Sequence, residues 1–177
     1  IWDKMVLLKY HELFIECLAD LLAAEPVLRM RNFVQHSDVS CLEHCVCVAY
    51  LSLILGRAMG VNVRRATRGA LLHDLFLYDW HHHKRKGFWP HGFTHPAQAL
   101  QNARRYFELD PVEEDVILKH MWPLTLRHMP LTPEAAVVCL ADKLCALAEV
   151  FGIYRRMRPQ ILAFMEAEIL DTGLKKT

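Results

Sequence analysis

Glycine and proline are scarce in this 177-residue chain, with 7 and 8 residues respectively. That scarcity, beside a composition 53% hydrophobic and 23% charged, excludes a disordered or low-complexity segment and points to one well-cored globular domain spanning residues 1–177. A surplus of either charge is also missing. The formal net charge of +1 provides no global field for a polyanion or a membrane surface, so no long nucleic acid and no membrane are expected as partners. The longest nearly apolar run, Cys45 to Leu55, falls far short of the roughly 20 residues that span a bilayer. The chain opens with Trp2, Asp3 and Lys4 without the basic-then-apolar layout of a leader, and a cytoplasmic protein is the expectation. No second cysteine pair stands at zinc-finger spacing. On a helix Cys41 and Cys45 share a face while Cys47 points elsewhere, so the six cysteines read as reduced thiols.

Sustained apolar-polar alternation is absent as well, and the chain reads as all-α, a bundle of about seven helices without internal repeats. A first helical segment is expected from Asp3 to Ala24, stopping near Pro26. Ser40 and Glu43 form a capping-box signature that starts a helix at Cys41, ending near Gly60, with His44 on the same face as Val48, Leu51 and Leu55. A third helix, Asn62 to Tyr78, carries His73 and Asp74 in an apolar run. The pattern is lost from Asp79 to Thr94, a stretch rich in aromatics, histidine and lysine that is expected to rim a site. Pro96 suits a first helical turn and places His95 at the edge of a helix with its body over Ala97 to Phe107. Asp110, Pro111 and Glu113 start a helix that runs through His120 and ends before Pro123. Thr132 and Pro133 start a long one, reaching about Arg156, with Asp142 on its buried stripe. A last helix covers Pro159 to Leu170.

Chemistry-bearing residues fall one group to a segment: His44, the His73–Asp74 pair, His95, His120 and Asp142. The intervals are each roughly 20 to 30 residues, a helix plus a turn, which lets successive helices present their polar groups to one point in a bundle core. Any one of these histidines alone reads as a satisfied core histidine. Six polar groups on apolar faces cost several kcal/mol in total without a common partner, and a metal centre answers that cost. Four imidazoles and two carboxylates suit iron, manganese, zinc or magnesium rather than a thiolate-type structural zinc. His91, in the same HGFTH segment, is the alternative to His95. His81, His82 and His83 read as a solvated loop, and His36 and His128 as outlying groups. Trp122 reads as core.

The ordered set, LEHCVCVAY, LLHDLF, ILKHMW and CLADKL, resembles the HD-domain superfamily of metal-dependent phosphohydrolases over Val39 to Leu147. The resemblance implies an all-α fold of the HD type and places His44, His73, Asp74 and Asp142 at a first metal. It also implies His95 and His120 at a second, with Asp74 bridging, as in the bacterial hydrolases of dinucleoside tetraphosphates. The implied cofactors are two divalent ions, iron or manganese before zinc or magnesium. The implied reaction is hydrolysis of a phosphate ester or anhydride of a small nucleotide-like partner by a metal-activated water. The Gly-Tyr-Pro signature of cyclic-di-GMP phosphodiesterases is absent, and LFLYDW stands where many of these hydrolases have a lysine. Beside Asp74, the expected catalytic residues are Arg68, upstream of His73, and Lys143; Lys84, Arg85 and Lys86 read as a solvated run. HD-type di-iron oxygenases use the same six ligands, and a metal-containing regulatory module is a third alternative. A homo-oligomer is compatible with the sequence.

Overall fold

In the computed structural model, residues 9–36, 39–78, 91–156 and 158–167 are described. They form eight α-helices: α1 (His11–Leu18), α2 (Glu25–Arg29), α3 (Cys41–Met59), α4 (Val63–Leu72), α5 (His91–Tyr106), α6 (Pro111–Lys119), α7 (Pro133–Val150) and α8 (Arg158–Met165). The all-α expectation holds, with one addition that strand periodicity did not reveal. Val34–His36 (β1) and Val39–Ser40 (β2) pair antiparallel as a ribbon too short to alternate visibly.

The central element is α3. Ser40 accepts from the Glu43 backbone N–H while the Glu43 carboxylate accepts from Ser40 N, the reciprocal cap anticipated from sequence. Gly60 ends the helix in the left-handed conformation, φ 72°, where a side chain would be strained. This helix has the length and hydropathy of a membrane span, yet 78% of its apolar window is buried inside the domain, which makes it the core helix. Around it pack α4 and α7, and α6 packs against both of these. Leu42, Leu53, Leu71, Leu72, Val116 and Val138 belong to one continuous core.

Several expected boundaries differ. The first segment is divided: α1 ends at Leu18, and Pro26 serves in the first turn of α2 because the extended Ala24 before Glu25 resets the chain direction. The helix expected over Asn62 to Tyr78 is α4 and ends at Leu72, so His73 and Asp74 sit in the turn that follows it. The fifth begins at His91, four residues before His95. Pro96 then lies inside it, where its missing N–H removes only an early hydrogen bond. The sixth ends at Lys119 with His120 as its C-cap, and α7 ends at Val150. Trp122 is 37% exposed rather than core, and His128 is exposed. The expectations for His81 to Lys86 and for the side chains of His36 and His91 lie outside the described residues.

Caps reinforce packing between elements. Asp110 caps α6 at Val112 N and Glu113 N, while Asp115 accepts from Leu131 N, Thr132 N and the Thr132 hydroxyl and so anchors the entry to α7. Glu134 accepts from Asn62 N and ties the starts of α4 and α7 together. The closest approach is at Gly69, where an added Cβ would stand 2.7 Å from Val116 Cγ1 on α6. Gly69 lies one turn before His73, and Val116 one turn before His120, so this contact sets the spacing of two candidate ligands. Gly69→Ala is expected to destabilise the protein by about 1–3 kcal/mol in urea unfolding, despite the higher helix propensity of alanine. Combined with Val116→Ala, the cost should be well below the sum of the single costs; strict additivity would show that the two positions do not meet.

Candidate metal centre

The structure brings His44, His73, Asp74, His95, His120 and Asp142 together, all of them buried. One donor atom each from His44, His73 and Asp142 lie within 4.8 Å of one another, and the same holds for Asp74, His95 and His120. His44 projects from the first turn of α3, and Asp142 from the inward stripe of α7. His95 comes from α5, whose Asn102 also donates to the Leu75 carbonyl at 2.7 Å and thereby holds α5 against the turn that carries Asp74. Just beyond this turn Leu77 adopts φ 56°, a left-handed conformation that costs an apolar residue on the order of 1 kcal/mol.

His73 and His120 are positioned by the same local device. Each is the C-cap residue of its helix, and each ring Nδ1 donates to a carbonyl three residues back: Ala70 O at 2.7 Å and Ile117 O at 2.8 Å. The bond satisfies a carbonyl that a helix end leaves unpaired, and it fixes the neutral tautomer so that Nε2 carries a lone pair. His44 is fixed from outside by Glu149, whose carboxylate lies 2.8 Å from Nδ1, so its Nε2 also turns toward the centre. Sequence reasoning did not single out Glu149. The signal was present, since it lies two helical turns after Asp142 on the same buried stripe.

These lone pairs face acceptors. His44 Nε2 is 3.1 Å from Asp142 Oδ1. His73 Nε2 makes no hydrogen bond although fully buried, and stands 3.4 Å from Asp74 Oδ2 and 3.7 Å from Asp142 Oδ1. On the other side, Asp74 Oδ1 is 3.1 Å from His95 Nε2 and 3.6 Å from His120 Nε2, and the two imidazole nitrogens are 2.8 Å apart. Donors around an ion at about 2.1 Å are separated by roughly 3.0–3.5 Å, so these contacts have the size of coordination-polyhedron edges. The donor set therefore fits divalent metal. Asp74 faces both groups, one oxygen to each.

Without a cation, protons must separate these acceptors. Burial works against protonation of His44, but its hydrogen bonds to Asp142 and Glu149 prevail and raise its pKa well above the usual value. His73 is raised well above as well: burial is again outweighed, chiefly by the Asp74 charge and then by neighbours including Asp142. Burial disfavours the charged forms of Asp74 and Asp142, yet the adjoining imidazoles hold both carboxyls well below the ordinary range. His120 is pushed down to about 3 by burial and by the nearby His73 and His95. It stays neutral with its lone pair available.

One thiol stands beside the cluster, for Cys45 Sγ and donor atoms of His73 and Asp74 lie within 4.8 Å of one another. All six described cysteines are free and buried. Cys45 Sγ is 3.8 Å from His73 Nδ1, but burial raises its pKa well above the usual thiol value and keeps it protonated; Cys41 Sγ donates to the Asp74 carbonyl at 3.3 Å. Lys143 lies at the margin, with Nζ 2.5 Å from the His120 carbonyl and 3.3 Å from Asp142 Oδ2. Arg68, expected from sequence to meet substrate, is not brought to the cluster. Its guanidinium is engaged by Glu113 at 2.6 Å and by Asp20, an ion-pair network joining α4 to α6 and to the chain after α1. Its place is a structural correction to the expected role: a buried arginine with two carboxylate partners has little reason to leave them.

A family model described as HD domain matches residues 41–147. Ribonuclease Y of Fervidobacterium nodosum is 34% identical over 106 residues, covering 59% of this chain and 18% of that protein. The ribonucleases Y of Thermosipho melanesiensis and Pseudothermotoga lettingae are 33% and 31% identical with the same coverage. The match thus spans less than a fifth of the length of these curated relatives. No solved structure matches the chain.

The pKa shifts predict how stability depends on pH. His44 and His73, with folded pKa values raised above 6.5, contribute stability that is fully present below 6.5 and lost as pH rises through the raised values. Chelator-treated protein should therefore lose thermal stability above pH 6.5, and added Mn2+ should restore it over that same interval by replacing the protons. A melting temperature that is flat above pH 6.5 and indifferent to Mn2+ would contradict the arrangement.

Proposed function

This chain belongs to the HD-domain family, and from that membership we propose that it is a metal-dependent phosphohydrolase acting on a phosphate ester or anhydride of a small nucleotide-like substrate. The observation that carries the reading is the divided attention of Asp74, with Oδ2 toward His73 and Oδ1 toward His95 and His120. His44, His73 and Asp142 would hold one divalent ion and His95 and His120 a second, with Asp74 shared between them. Ions bound there supply a water of lowered pKa and a Lewis acid for a phosphoryl oxygen. Iron and manganese suit the mixed nitrogen and oxygen donors, and zinc or magnesium are admissible.

The chain's own groups complete the chemistry. The carbonyls of Ala70 and Ile117 and the carboxylate of Glu149 hold three imidazoles in the tautomer that presents a lone pair. Burial of the cluster excludes bulk water and strengthens each electrostatic contact. Lys143, whose side chain is 37% exposed while its ammonium touches Asp142, stands where a cation meets an incoming phosphate oxygen, and we assign it that contact in place of Arg68.

The resemblance to proteins named ribonuclease Y favours a phosphodiester in RNA as the second reading. Anaerobically purified protein loaded with Mn2+ is to be assayed against dinucleoside polyphosphates, nucleoside phosphates and short RNA. Oxygen-independent hydrolysis of a small nucleotide is expected, falling by at least about 1,000-fold in Asp74→Asn. Cleavage restricted to RNA would favour the second reading. Dioxygen consumption on a polyol or phosphonate without phosphate release from nucleotides would assign an HD-type oxygenase, and tight nucleotide binding without turnover a regulatory module.

A further inference from the structure

The polarity of α7 is inverted. A helix on the surface of a domain normally turns its charges to solvent. Here Glu134, Asp142 and Glu149 are buried and Lys143 is half-buried, whereas the exposed positions are Pro133, Ala136, Leu140, Leu144, Leu147 and Val150, apolar without exception. Phe151 and Ile153 extend the same surface beyond the helix end, with Val150 and Phe151 exposed to 71% and 73%. The buried face explains the acidic residues, because Asp142 and Glu149 serve the metal centre. Nothing in that role requires leucines on the outside.

The exposed surface of Leu140, Leu144, Leu147, Val150, Phe151 and Ile153 amounts to on the order of 600 Å². That is the upper end of the largest apolar patch on an ordinary monomer, and it approaches the ~800 Å² that each partner contributes to a standard interface. The patch also continues sideways. Cys139 Sγ donates to the Trp122 carbonyl at 3.0 Å, which sets the partly exposed Trp122 and exposed Leu124 beside the helix.

We infer that the outer face of α7 pairs with the same face of a second copy of this chain. Leu140, Leu144, Leu147 and Phe151 recur at intervals of four, three and four residues, the spacing of a seam between packed helices. A two-fold axis between Leu144 and Leu147 lays this seam against itself in antiparallel register, so Leu140 of one copy meets Phe151 of the other and Leu144 meets Leu147. None of the exposed positions of the helix is charged, and the half-buried Lys143 is held by the His120 carbonyl and Asp142, so the stripe itself offers nothing to select an acidic or basic partner. An identical uncharged face satisfies it without leaving a charge unpaired. The pairing stiffens the helix that carries Asp142 and Glu149 and leaves the ligands on its inner side undisturbed.

The 177-residue chain is to be weighed by sedimentation velocity between about 1 and 100 μM, a range that resolves dissociation constants in the micromolar region. A mass about twice 20.6 kDa is expected. The double variant Leu144→Glu with Leu147→Glu should return it to the monomer mass with unchanged helix content and metal content. Independently, Leu144→Cys mixed with Leu147→Cys should form a mixed intermolecular disulfide under mild oxidation, because all six native cysteines are buried. A monomer throughout the concentration range would overturn the inference. So would a dimer that persists in the glutamate variant and gives no mixed disulfide between the two cysteine variants.

Discussion

A cluster of lone pairs aimed at one another in a dry core is the constraint on which the structure depends. His44 Nε2 confronts Asp142, His73 Nε2 confronts Asp74 and Asp142, and His95 and His120 confront Asp74 and each other. Buried acceptors at such distances are repulsive unless protons or cations stand between them. Divalent ions would relieve all of these contacts at once. The fold holds the cluster together through hydrogen bonds made on its outer side.

Those outer bonds come from several different parts of the chain, which makes the centre rigid. Two are helix-end carbonyls bonded by His73 and His120, so capping a helix and orienting a ligand are one act. A third is Glu149, reached from the long helix that also bears Asp142. Asn102 ties α5 to the carbonyl of Leu75, next to the Asp74 turn, and Gly69 lets α4 and α6 approach without an intervening side chain. Arg68 with Asp20 and Glu113 braces α4 from the side remote in sequence. The helices are thus adjusted to the ligands by short-range contacts, and general hydrophobic burial around α3 supplies the bulk of the cohesion.

The all-α class and the six clustered residues were legible because both leave local marks. Capping boxes at Ser40 and Asp110 fix two helix starts, and ligand-type residues on apolar stripes announce buried polar groups. What sequence did not reveal depends on contacts between distant segments. Arg68 looked like a phosphate ligand because its two carboxylate partners are 48 and 45 residues away. Trp122 looked like core because aromatic residues usually are, yet its backbone is held by Cys139 with the ring partly outward. Helix ends shifted by a few residues at His73 and His120, where the side chain's bond to its own helix replaces a further turn. Pro26 entered a helix that periodicity alone had it border, and Pro96, expected in a first turn, lies further inside α5.

Asp74 is proposed to lie between two cation sites. Elemental analysis of anaerobically purified protein, beside His120→Ala, decides the point. About two equivalents of divalent metal are expected, falling toward one in the variant because His44, His73, Asp74 and Asp142 remain. One equivalent in both proteins would remove His120 from the centre. No metal in either would leave a helical bundle whose buried histidines are held by protons alone.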